Sequence, residues 1–176
     1  MMKNKVYQIG TAVLVGLAAF ALFSTYARPN VVHGNSMATT IEDGDIVLVE
    51  KVSVVKHNFE HGDIVLLTSD LEINGTKHAK LTKRIIGLPG DHIEIKDGLV
   101  YLNGKMILES YLSDGGTIGK LDRVVPRDHL FVLGDNRLES IDSRHASVGF
   151  VPVEAIDGKA YLRVFPFRKF GDITHD

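Results

Sequence analysis

Between Lys5 and Arg28 no side chain carries a charge, and the stretch Val6–Ala27, about 22 residues, would form a helix of roughly 33 Å. That is long enough to cross a bilayer, and it removes these residues from whatever core the rest of the chain builds. Tyr7, Gln8, Thr11, Ser24, Thr25 and Tyr26 lie at the two ends of the stretch, while its middle is Ala, Val, Leu, Phe and Gly. This distribution suits a bilayer better than a buried core helix. Thr25 and Ala27 could serve a processing enzyme as a cleavage site, but the apolar run exceeds the ~7–15 residues of an ordinary signal-peptide core. Lys3 and Lys5 precede the segment, which places the N-terminus on the cytoplasmic side and the body outside.

The 176-residue chain then divides into residues 1–28, a cytoplasmic N-terminus and transmembrane anchor, and residues 29–176, an extracytoplasmic domain with a core of its own. A net charge of -2 offers no field for a polyanion, so nucleic acid is not an expected partner. The absence of cysteine excludes disulfides, thiolate metal sites and cysteine catalysis.

After Arg28-Pro29 short alternating runs separated by turn residues predict strands near Val31–His33, Asp45–Val52, Asp63–Thr68, Ala79–Ile86, His92–Ile95, Leu99–Leu102, Lys105–Leu108, His129–Leu133 and Ala160–Val164. Almost nothing there has a helical period, so the body is mostly β. Asp97-Gly98 and Asn103-Gly104, which supply the positive φ angles of tight hairpins, predict a three-strand meander from His92 to Leu108. Gly44-Asp45-Ile46-Val47-Leu48 recurs as Gly62-Asp63-Ile64-Val65-Leu66, a turn-then-strand used twice. From Ser110 to Arg123 alternation is lost and Asp114, Gly115, Gly116, Gly119 and Lys120 gather, which reads as a mobile surface loop.

Four stretches interrupt good strand patterns with polar or turn residues: Gly34–Thr40, Gly44–Lys51, Lys83–Asp91 and Gly134–Arg144. Alternation puts Lys83 on one face with Leu81 and Ile85, and Arg84 on the other. An inward lysine among aliphatic neighbours would lose its proton more readily, and a serine hydroxyl needs such a base to act as nucleophile. Ser36 lies in a turn after a short strand, 47 positions before Lys83. The eight histidines are scattered, none in a Gly-x-Ser-x-Gly setting, and no His-Glu-x-x-His zinc signature occurs. His33 and His145 flank the candidate stretches; the others read as surface or turn residues.

In order, the four stretches resemble the sequence boxes of bacterial type I signal peptidases, and the single anchor with a short body is similar to the Gram-positive enzymes. The resemblance extends to Phe165-Pro166-Phe167-Arg168-Lys169-Phe170-Gly171. It implies an antiparallel β-sheet catalytic domain of the signal-peptidase/LexA-like type behind one N-terminal transmembrane helix. The implied enzyme is a serine endopeptidase of the cell membrane that cuts signal peptides from secretory preproteins after small residues of Ala-x-Ala type, without metal or other cofactor. On this chain the resemblance makes Ser36 the nucleophile, Lys83 its base, Ser140 the group that orients Lys83, and the Ser36 backbone N–H part of the oxyanion hole. Asp142 and Arg144 become a supporting salt bridge, and Asp135, Asn136 and Arg137 shape the turn beneath the site. Gly34 stands where some members carry an oxyanion serine, and Thr39 where the family usually has proline, a change expected to loosen the turn carrying Ser36. Two other readings compete: a non-catalytic membrane-tethered chaperone, which would be favoured by loss of Ser36 or Lys83, and a self-cleaving repressor-type protease, which would carry a DNA-binding segment in place of the anchor.

Overall fold

The computed structural model describes residues 2–69, 78–112 and 116–174. Asp114, Gly115 and His175 lie outside them. The chain begins with helix α1 (Met2–Tyr26), which passes directly into strand β1 (Ala27–Val31). The side chains of residues 18–25 are outside the description, and among the described residues no helix is long and apolar enough to cross a membrane.

Strands β2 (Ile46–Glu50), β3 (Ile64–Thr68), β4 (Lys80–Gly87), β9 (His129–Leu133), β10 (Val151–Pro152) and β11 (Ile156–Phe165) join β1 in one antiparallel sheet, ordered β1-β2-β11-β3-β4-β9-β10. The two-residue β12 (Gly171–Asp172) pairs with β11. A second sheet holds β5 (His92–Lys96), β6 (Leu99–Leu102), β7 (Lys105–Met106) and β8 (Leu121–Val124) in the order β7-β6-β5-β8. Its hairpins turn where the local chemistry allows: Asp97, Gly98, Asn103 and Gly104 all have φ between 51° and 80°, which sets Lys96 opposite Leu99 and Leu102 opposite Lys105.

The repeated Gly-Asp turn has a tertiary purpose. Asp45 Oδ2 accepts the Glu42 N–H (3.0 Å) and Asp63 Oδ2 the Glu60 N–H (2.9 Å), so the two turns close alike. The strands they start flank the ten-residue β11 on opposite sides, and each aspartate pairs with a cation of that strand, Asp45 with Arg163 and Asp63 with Lys159.

Several elements differ from the sequence reading. The first strand starts at Ala27, because Ala27–Val31 pairs with Glu50–Ile46 and this non-local ladder overrides the apolar run before it. A short helix, α2 (Val52–Lys56), closes after β2, its first N–H groups held by the Glu50 carboxylate. The segment read as a mobile loop from Ser110 to Arg123 is partly structured: Tyr111 is half-buried, Thr117 is buried and its N–H donates to Gly98 O, and Leu121–Val124 is strand β8.

The core that matters for function packs Val32, Met37, Ile41, Val47, Val49, Ile64, Leu66, Ala160 and Ile173 together. Met37 and Ile41, 1% and 0% exposed, pin the turn that bears Ser36, each worth about 1.5–3 kcal/mol on burial.

Candidate active site

Residues 34–41 leave β1, turn tightly, and dive into that core. Within the turn Ala38 N–H donates to Asn35 O, and the N–H groups of Thr40 and Ile41 both donate to Met37 O. Ser36 stays half-exposed at the lip while Met37 is buried, so the hydroxyl faces outward on a fixed base. Among the described residues no acceptor takes the Ser36 N–H.

Strand β4 supplies the partner. Lys83 lies opposite Val65 of β3, is 1% exposed, and donates from Nζ to Ser36 Oγ at 2.7 Å. Burial strips solvent from the ammonium and lowers its pKa from 10.5 to about 8, even though the carboxylates of Asp142 and Asp135 pull it upward; the Arg144 charge lowers it further. About a tenth of the molecules then carry a neutral amine at pH 7, against a few in ten thousand for an ordinary lysine. A buried, partly neutral amine at hydrogen-bond distance from a hydroxyl can take that hydroxyl's proton.

The loop after β9 holds both groups from behind. Gly134 is required at its start, since a Cβ there would meet Ser140 Oγ at 2.2 Å and Ser36 O at 2.4 Å. Asn136 N–H donates to Ser36 O (3.0 Å) and its Nδ2 to Asn35 O (3.1 Å). Asp142 and Arg144 form a two-pronged pair with both N···O distances 2.8 Å. Burial alone would raise the Asp142 pKa, but Arg144, the Gly134 N–H and the Ser140 hydroxyl together hold it below the usual carboxylate value.

Ser140 is buried in the same loop, 3% exposed. Among the described residues its buried Oγ has no hydrogen-bond partner, and the Lys83 amine bonds Ser36. The Ser140 side chain packs against Gly134.

Four residues of the site were not singled out from sequence. Arg84, next to Lys83 on the opposite face of β4, is 2% exposed and makes a two-pronged pair with Asp135 (2.9 and 2.7 Å). Thr40 Oγ1 donates to the same carboxylate at 2.6 Å. The Tyr111 ring covers Arg84 at 4.0 Å and its hydroxyl donates to Glu109 (2.8 Å), which pairs with Arg137. Burial, and then the Glu109 charge, raise the Tyr111 pKa above its ordinary value. Alternation announced that Arg84 turns from Lys83, but nothing local announced a carboxylate 51 positions away.

In front of the pair lies a cleft of about 680 Å³ lined by His33, Ser36, His78, Ala79, Leu81, Lys83 and Ile141, among others. A larger hollow of about 760 Å³ beside β5 and β8 has charged walls and holds neither Ser36 nor Lys83. Ser36 and Lys83 both line the smaller one. Strand β3 pairs with β4 from Lys80 to Arg84, whereas β9 pairs with it only from Arg84 to Gly87, so among the described residues no strand pairs with the other side of the Lys80–Lys83 edge. Among the described residues no group of three or more His, Asp or Glu side chains could hold a metal ion.

Residues 5–165 match the family described as signal peptidase, peptidase S26. Signal peptidase I of Bacillus caldolyticus is 38% identical over 176 residues, covering 92% of this chain and 90% of the relative. That of Bacillus licheniformis is 32% identical over 180 residues, covering 95% and 92%. Among solved structures, a signal peptidase I from Enterococcus faecalis superposes with a TM-score of 0.50 at 29% identity, over 58% of this chain and 96% of that one. By these matches over most of its length, the chain belongs to the signal peptidase family, peptidase S26, and is a serine peptidase.

Proposed function

We propose that this chain is a membrane-anchored endopeptidase that removes N-terminal signal peptides from exported preproteins by a Ser36/Lys83 dyad. The observation that carries the reading is the 2.7 Å hydrogen bond from a Lys83 amine 1% exposed to the half-exposed Ser36 hydroxyl. Neutral Lys83 takes the Ser36 proton as Oγ attacks the scissile carbonyl, and the Ser36 N–H supports the oxyanion. Lys83 then returns the proton to the leaving amine, and the acyl ester on Ser36 is released by a water that Lys83 deprotonates. We assign Ser140, whose buried hydroxyl makes no hydrogen bond among the described residues, to steady the amine during that return.

A substrate in extended form can add a strand along the open Lys80–Lys83 edge, and the apolar Ala79, Leu81 and Ile141 beside it suit small uncharged side chains of Ala-x-Ala type. The uncharged Val6–Ala27 segment supports a single membrane span as residues 1–28, with residues 29–176 on the extracytoplasmic side. Because α1 runs into β1 without a linker, the body would sit where signal-peptide ends emerge from the bilayer.

The test is cleavage of a preprotein by detergent-solubilised protein. Ser36→Ala and Lys83→Ala should each lose activity by about 10⁴-fold or more, and chelator should leave the wild type unchanged. Undiminished cleavage in either variant would refute the dyad.

A further inference from the structure

Three residues beyond Ser36 the backbone does something unusual. Thr39 has φ +96°, a region that β-branched residues almost never enter, and proline, with φ locked near −65°, cannot. Such strain persists only where the surroundings over-determine it. Here they do. On one side of Thr39, Met37 is buried and its carbonyl takes two N–H groups from Thr40 and Ile41. On the other, Thr40 is fastened through its hydroxyl to Asp135 (2.6 Å) and through its carbonyl to Arg163 (2.9 Å).

The positive φ leaves the Thr39 side chain on the outside of the turn, where its Oγ1 donates to Tyr111 O at 2.8 Å. Tyr111 is itself held: its ring lies on Arg84, its hydroxyl on Glu109, and Glu109 on Arg137. The segment from Glu109 to Leu112 therefore crosses from the nucleophile turn to the ion pair on the far face of β4. No other side chain of the turn reaches it by a hydrogen bond among the described residues.

We propose that Thr39 is a positioning residue for Ser36: its left-handed backbone and its hydroxyl bond to the Tyr111 carbonyl clamp the nucleophile turn to the strap that covers the Arg84–Asp135 pair. The proposal rests on Ser36 being the nucleophile. It makes the orientation of Oγ depend on a loop more than 70 positions away, and it replaces backbone stiffness with a hydrogen bond. Since that bond is exposed to water, its loss loosens the turn without unfolding it.

The experiment compares Thr39→Val, Thr39→Ser and Ser36→Ala with the wild type on one preprotein, measuring kcat, KM and the melting temperature, with hydrogen exchange at the Thr40 and Ile41 amides. Valine keeps the branch and the backbone demand and loses only the hydroxyl. It should lower kcat about three- to tenfold, with KM within about twofold and little change in melting. The two amides should exchange faster, and Thr39→Ser should recover both kcat and protection to within about twofold of wild type. Wild-type kcat in Thr39→Val beside an inactive Ser36→Ala would overturn the role of Thr39 alone. So would a change confined to KM, or a serine variant no better than valine. An undiminished Ser36→Ala would overturn the nucleophile assignment and the clamp's purpose with it.

Discussion

The two faces of β4 bury adjacent cations and treat them in opposite ways. Arg84 is met by Asp135 on two atoms, by the Gly62 carbonyl and by the Tyr111 ring, so its charge is compensated as fully as a buried charge can be. Lys83, as deeply buried, makes no ion pair among the described residues and has the Ser36 hydroxyl as its neighbour; Asp142 and Asp135 act on it only at a distance. A guanidinium cannot lose its proton in a protein, so burying it demands a partner. An amine can, and burial without a countercharge makes it easier to deprotonate. The contrast teaches that one face of the strand is built for stability, and that the other leaves an amine able to serve the proposed dyad.

The strongest way to break this comparison is Lys83→Met. Activity should fall by about 10⁴-fold or more, while stability at pH 7 should rise by about 1–3 kcal/mol, because the penalty of holding a partly charged amine out of water disappears. A less stable variant in denaturant titration would mean that Lys83 is a structural cation like its neighbour. On the other face, Asp135→Asn should lose about 3–5 kcal/mol by leaving Arg84 uncompensated, and unchanged unfolding would show that Tyr111 and the backbone suffice. The smallest effect is on pH. Below about pH 8 the rate should drop about tenfold per unit as Lys83 gains its proton. Between about pH 8 and 10.5 the unfolded chain keeps a proton that the folded chain has released, so this group makes stability rise with pH across that window. A rate that is flat from pH 6 to 9 would remove Lys83 as the base.

Much of this is legible in the sequence. Lys96–Gly98 and Asn103–Gly104 specified their hairpins because a positive φ is a local demand that few residues meet. Which residues share a face with Lys83 followed from strand alternation, and the Gly-Asp turns from their repetition. Other features were hidden. Strand β8 and the half-buried Tyr111 lie in a segment whose composition says loop, because their order comes from β5 and from Arg84. Ser140 was assigned to the lysine by resemblance, and its packing against Gly134 is a contact that no local pattern announced. The Thr39 substitution read as a loss of stiffness, whereas the backbone adopts a conformation proline cannot and gains a hydrogen bond.

By itself the sequence determined the uncharged N-terminal segment, the mostly β body, the hairpins, and which residues of β4 share a face, since all of these follow from hydrophobicity, period and turn chemistry within a few residues. Tertiary structure alone decided that Ser36 meets Lys83, that Asp135 goes to Arg84 and not to the lysine, and that Tyr111 ties down Thr39. These contacts join residues 47 to 72 positions apart. Their energies depend on who is brought alongside and how completely water is excluded, and no local pattern encodes either.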